Sequence, residues 1–252
     1  MTRLQKSLPG IVSVTGSFII WEAYCRLSGM PALILPAPTQ ILAVFFDVMS
    51  ERSTFYHLSI TLWEILAGFS IATVAGVFLG WLIYVSPIIQ RALHPFIVAS
   101  QVVPKVALVP LFVLWFGFGP ASKIIVAAVI AFFPVMVNTH LGLRSVEDGH
   151  KDVFKALRAN PFQRIMLLQI PSALPAILAG MEMAIVLATI GAVVGEYLGG
   201  SEGLGYLAVA TMNAFQTDRL FVLIILLTLI GFSLFIVIAT LRRMLTAWHS
   251  VD

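Results

Sequence analysis

Residues 143–176 read LRSVEDGHKDVFKALRANPFQRIMLLQIPSALPA. This is the longest polar interval in an otherwise apolar chain. It holds five of the fifteen Lys and Arg residues: Arg144, Lys151, Lys155, Arg158 and Arg164. Hydrophobic runs flank it on both sides, as expected of a chain that leaves a membrane, forms two short helices in water and goes back in. Asp152 to Ala159 is rich in good helix formers. Val153, Phe154 and Leu157 fall on one side of that helix and give it an apolar stripe. Asn160-Pro161 reads as a stop and restart, because Asn caps a helix N-terminus well and Pro suits the first helical position. A second helix is predicted over Phe162 to Gln169, ended by Pro171 and Pro175. The stripe has two readings: it packs back on the protein's own helices, or it is presented to a soluble cytoplasmic partner as an amphipathic helix laid in a groove.

Composition sets the class. Of the 252 residues, 60% are hydrophobic and only 11% charged, against about a quarter charged in soluble domains. The expectation is an all-α integral membrane protein, a single domain over residues 1–252 with about six transmembrane helices. The predicted spans are 11–27, 58–84, 95–116, 123–143, 176–197 and 220–241, with the polar loop at 144–175. The N-terminus, with Arg3 and Lys6 before an apolar run, reads as a retained first span because no convincing small-residue cleavage site follows. Glu22 and Arg26 stand one helical turn apart near the end of that span. Gln40 to about Met49 is too short to cross and reads as an interfacial helix capped by Thr39. Gly68, Gly76 and Gly80 mark the second span as a packing helix. The third is broken by Pro104 and Pro110, and irregular backbone at membrane depth is tolerated only inside the protein or beside a watery cavity.

Orientation follows from the short loops. With the N-terminus inside, Arg3, Lys6, Arg91, the five basic residues of the polar loop, Arg242 and Arg243 lie on the inner side. Only Arg26, Arg52, Lys123 and Arg219 lie outside. Both termini and the polar loop are therefore expected in the cytoplasm.

No catalytic residue is expected. The chain has no Gly-rich phosphate loop ending in Gly-Lys-Ser or Gly-Lys-Thr, so it is not expected to hydrolyse ATP or to hold a cofactor. The five histidines show no ligand spacing, and the single Cys25 cannot form an internal disulfide or suggest a metal site. Nothing points to nucleic acid. Ionisable groups within spans are costly and are functional candidates by default. Gln101, Lys105, Asn138, Glu182 and Glu196 are the candidate translocation-path residues, with Glu64 beside them. Each could instead be a structural pair or an interfacial side chain. For a small anionic cargo, Lys105 is the natural counter-charge.

The polar loop resembles the cytoplasmic signature of permease subunits of ATP-binding-cassette importers: Glu-Ala-Ala, three residues, Gly, nine residues, then Ile-x-Leu-Pro. Asp152-Val153-Phe154 fall on the first element, Arg158 on the Gly, and Leu168-Gln169-Ile170-Pro171 on the last. The spacing is kept while the identities drift. LPAPTQI, SITLWEILAGFSIA, VVPKVALVPLFVLWFGFGPASKI, FFPVMVNTHLGLRSV and LPAILAGMEMAIVLATIGAVVGEYLGGSEGLGYL resemble the branch that carries nitrate, taurine, alkanesulfonates, bicarbonate or thiamine-precursor pyrimidines. The likeness runs from about Trp21 to Leu241. Relatives often carry a basic residue where this chain has Glu64 and Glu182.

The resemblance implies a type I importer-like permease in a bacterial inner membrane, working as a homodimer. Two cytoplasmic ATPase subunits holding ATP and Mg would grip the coupling loop. An extracytoplasmic solute-binding protein would deliver a small anionic or heterocyclic solute. The ATPase-docking residues it implies are Asp152, Val153, Phe154, Lys155, Leu157, Arg158, Phe162 and Arg164. The rival is an ion- or proton-coupled secondary transporter that works without an ATPase.

Overall fold

The computed structural model describes residues 3–248, except for the side chains of residues 3–9, 11 and 101. The described residues form eleven α-helices, with a 3-10 turn after the fourth and a π-turn after the eighth. Four of these, α3 (Arg52–Val85), α6 (Pro120–Arg144), the run α8–α9 (Pro161–Gly199) and α11 (Thr217–Leu245), are long and apolar enough to cross a membrane. α4 (Pro87–Val102) with the 3-10 turn Lys105–Leu108 and α5 (Val109–Phe116), bent by 89° at its break, forms either a fifth, broken span or a re-entrant loop. The expected first span corresponds to α1 (Arg3–Leu27), where the first half of the helix lies largely outside the described side chains.

At the centre, α6 is sandwiched between α3 and α9 (Ile170–Gly199) around a core of Ile65, Phe69, Ala127, Ala131, Val135, Ala184 and Ala188. Lipid tails are as apolar as these side chains, so helix association relies on close packing rather than on the hydrophobic effect. Small residues permit that closeness. A Cβ on Gly68 would stand 2.6 Å from the Ala127 Cβ, and one on Gly80 would stand 2.6 Å from the Met136 carbonyl oxygen. A second cluster joins α2 (Pro38–Ser50), α10 (Leu204–Asn213) and α11 through Ile41, Val48, Leu204, Val222 and Leu223. The Glu22–Arg26 pair forms at 2.6 Å, and Glu22 also accepts from the Thr39 hydroxyl at 2.9 Å.

Four local readings are corrected. Thr39 was expected to cap the short interfacial helix, but α2 starts at Pro38 with Ala37 at its N-cap, and the Thr39 hydroxyl donates to Glu22 instead. Arg91 and His94 were expected in a loop, but both lie in α4, which starts at Pro87 with Ser86 capping the Ile89 N–H at 3.4 Å. The helix beginning at Pro161 does not stop at Pro171. It continues through the π-turn Ile165–Gln169 into α9, because bonding five residues back lets the Ile170 N–H reach the Ile165 carbonyl just before the proline that cannot donate. The first loop helix, α7 (Asp148–Ala156), begins four residues earlier than the helix-former run suggested.

Candidate functional site

The polar loop is built from two short helices, of which only the second has a side-chain N-cap. Asp148 opens α7 with negative charge at the positive end of the helix. The Lys151 ammonium bonds it at 3.0 Å and holds its carboxyl below the ordinary carboxylate range. Lys155 pairs with Asp152 at 2.8 Å. The C-terminus of α7 closes in a Schellman motif: the Arg158 N–H donates to the Lys155 carbonyl at 2.9 Å and the Ala159 N–H to the Phe154 carbonyl at 3.0 Å.

That motif requires a left-handed residue between the two helices, and Arg158 supplies it with φ +51°. The residue sits where the family signature has Gly. The substitution therefore leaves the turn in the backbone region that glycine adopts most readily, occupied by a side chain that disfavours it.

The second helix is entered through a reciprocal cap. The Gln163 N–H donates to Asn160 Oδ1 at 2.8 Å, and the Asn160 N–H donates to Gln163 Oε1 at 2.9 Å. Arg164 is half-buried and donates to the Ala159 carbonyl at 3.0 Å, tying the two helices together. The apolar side chains are not folded away: Val153 is 54% exposed, Leu157 72% and Phe162 66%, while Phe154 is half-buried. Asp152, Lys155 and Arg158 are exposed beside them.

The proposed path residues do not form one group. Lys105 sits on the 3-10 turn with its ammonium 5.0 Å from the Phe133 ring centroid. Asn138 donates to the Pro134 carbonyl at 2.8 Å and lies against Gly180 of α9. Glu182 faces Arg242 Nε at 2.9 Å and thereby ties α9 to α11. The Gln101 side chain lies outside the described residues.

Glu196 belongs to a different structure, at the end of the bundle away from the coupling loop. There the glycine-rich segment 199–205 folds back as a strap over α3 and α9. Three successive backbone N–H groups at the start of α10 are each received by a side chain. The Gly203 N–H donates to His57 Nδ1 at 3.0 Å, that of Leu204 to Thr61 Oγ1 at 2.8 Å, and that of Gly205 to Glu196 Oε2 at 2.6 Å. The Thr61 hydroxyl donates in turn to Glu196 Oε1 at 2.6 Å. Gly203 has φ +102°, and a Cβ there would run into the Glu196 carboxylate. Beneath the strap, Lys123 of α6 meets Glu64 of α3 at 3.5 Å, with both side chains all but fully buried. Sequence reasoning placed Glu64 and Glu196 in spans and Lys123 at the outer start of the span 123–143, but did not bring the three together. The one signal, the Gly-x-Gly at Gly203 and Gly205, is too isolated to suggest a nucleotide and reads as a flexible turn.

The comparisons with known proteins agree with this geometry. Residues 72–247 match the family described as binding-protein-dependent transport system inner membrane component. The chain is 40% identical to the formylaminopyrimidine transport permease protein ThiX of Halalkalibacterium halodurans, over 99% of each chain. It is 36% identical to the riboflavin transport system permease protein RibX of Chloroflexus aurantiacus, over 92% of this chain and 87% of that one. It is 33% identical to the putative aliphatic sulfonates transport permease protein SsuC of Bacillus subtilis, over 92% and 84%. A chain of the MetNI methionine ABC transporter, solved in an inward-facing conformation, superposes with a TM-score of 0.58 over 77% of this chain and 99% of that chain, at 19% identity. Family, relatives and fold agree: this chain belongs to the inner-membrane permease components of binding-protein-dependent ABC importers and has their type I fold, as a multi-pass membrane protein.

Proposed function

We propose that this chain is the membrane-spanning half of an ATP-driven importer that works by alternating access, with two copies forming the path. Two cytoplasmic ATPase subunits, which bind ATP and Mg, seat the coupling loop in their surface grooves. An extracytoplasmic binding protein delivers the solute, and both chain termini face the cytoplasm. The observation that carries this reading is the apolar ridge of Val153, Leu157 and Phe162, left uncovered on a loop whose two helices are joined by a hydrogen-bonded turn. An exposed apolar helix face beside paired charges is what a helix-in-groove contact needs. Asp152, Lys155, Arg158 and Arg164 supply the polar rim.

For the solute, the 40% identity to a permease named for formylaminopyrimidine, together with that to one named for riboflavin, supports a small nitrogen heterocycle of the thiamine-precursor type. The test is reconstitution with the cognate ATPase and binding protein. Leu157→Asp should abolish the stimulation of ATP hydrolysis by loaded binding protein and cut uptake at least tenfold, while membrane insertion and the melting temperature of the isolated permease stay unchanged. Stimulated hydrolysis at the wild-type rate in that variant would refute the docking assignment. Uptake that collapses with an ionophore and persists without ATP would refute the ATP-driven reading.

A further inference from the structure

The charges under the strap do not balance. Glu64, Lys123 and Glu196 are 0%, 2% and 1% exposed, so two carboxylates share one ammonium in a volume closed to water. An uncompensated ion in such surroundings costs several kcal/mol in general, and neutralisation by a proton relieves it. The two carboxylates are not equivalent. Glu196 accepts from the Thr61 hydroxyl and the Gly205 N–H, and it sits at the positive end of the ten-residue helix α10. Every one of those contacts favours its ionised form. Glu64 accepts from no hydroxyl or backbone N–H. Apart from Lys123 at 3.5 Å and the neighbouring Glu196 carboxylate, to which only a protonated Glu64 could donate, neither of its oxygens has a partner among the described residues, although both are buried.

We propose that Glu64 is a resident proton-binding site, a neutral carboxylic acid at neutral pH, beside an ionised Glu196 and with Lys123 as the one cation of the group. The proton completes the charge balance that allows the strap to close on α3. The other titratable groups around the site are Tyr197, whose ring lies against Gly205 and whose phenol can add no positive charge, His57 and Glu202. His57 is nearly two turns away on α3 and is occupied as acceptor of the Gly203 N–H. Glu202, on the strap, is turned outward to the Tyr56 hydroxyl at 2.8 Å. Neither supplies a second positive charge. Ionisation of Glu64 would place two carboxylates against Lys123 and weaken the grip on the N-terminus of α10. This inference does not depend on the solute or on ATPase docking.

The test uses the full-length permease in lipid nanodiscs, with glutamate labelled with carbon-13 at the side-chain carboxyl. Infrared spectra at pH 7.5 should show one buried protonated-carboxyl C=O band, displaced by the label and absent in Glu64→Gln. Glu64→Gln mimics the neutral acid. It should assemble normally and melt above wild type by a margin that widens from pH 6 to pH 9, because the wild-type native state must hold a proton that its unfolded chain has released. Absence of the band in wild type, or its survival in Glu64→Gln, would overturn the proposal. So would failure of Glu64→Gln to assemble while Glu64→Asp assembles, since a permanently neutral isostere must then be the wrong mimic.

Discussion

The two ends of this molecule treat charge in opposite ways. At the coupling loop, Lys151–Asp148 and Lys155–Asp152 are exposed pairs between neighbours three residues apart on one helix. At the far end, Glu64, Lys123 and Glu196 come from three different helices and are buried. Exposed pairs are worth only about 0–1 kcal/mol, and their removal leaves water to solvate the survivor. Buried groups have no such recourse, so each depends on the others. The loop end can therefore be remodelled by evolution with little effect on the fold, and its degenerate signature fits that freedom. The strap end holds α3, α6, α9 and α10 in one register.

The largest effect that would break this contrast is expected from Lys123→Met. It removes the single cation from the buried group and should cost about 3 kcal/mol of stability, at the low end of what breaking a buried pair costs, because a second proton can be taken up. The measurement is thermal unfolding of the permease in nanodiscs. The infrared band assigned to Glu64 should grow in the same sample. A melting temperature within a degree of wild type would mean that the cluster is hydrated, and the distinction between the two ends would fall.

Much of this was legible in the sequence because it is local. The coupling loop declared itself through its polarity, through Asn160-Pro161 and through the 153, 154, 157 stripe. The spans of α3, α6, α9 and α11 followed from long apolar runs with few polar interruptions. The start of α4 was missed although Ser86-Pro87 is a cap followed by an N-terminal proline, because Arg91 and His94 outweighed it as loop signals. The continuity through Pro171 was missed because a proline normally ends a helix, and the π-turn that accommodates it leaves no residue pattern. The strap could not be found at all. Thr61 and Glu196 are 135 residues apart, and His57 and Gly203 are 146 apart. No periodicity reports which polar groups on separate helices will meet.

A smaller effect is expected at the coupling loop from Arg158→Gly. The Schellman turn holds Arg158 at φ +51°, a conformation that costs a residue with a Cβ about 1–2 kcal/mol. Glycine removes that strain but loosens the unfolded chain, so the net gain is about 0.5–1 kcal/mol. A melting temperature a few degrees higher, with the ATPase still stimulated, is the expected outcome. If stability rises but stimulation falls, the guanidinium itself contacts the ATPase and the polar rim carries part of the coupling. If stability drops, Arg158 makes a compensating contact and the loop end is less independent of its surroundings than its exposure suggests.

The smallest effect separates electrostatics from stability outright. Lys151 lowers the titration point of Asp148, so that pair favours the folded state above the ordinary carboxylate range and loses its contribution as pH falls through the depressed value. Asp148 is 93% exposed, and solvent screens nearly all of that interaction. Lys151→Met should therefore bring the Asp148 carboxyl back to the ordinary range in a carboxyl-resolved NMR titration, with no measurable change in melting temperature at pH 7. A clear loss of stability would show that α7 leans on its ion pairs after all. Its register would then rest on charge as the strap's does, and the difference between the two ends would be one of degree.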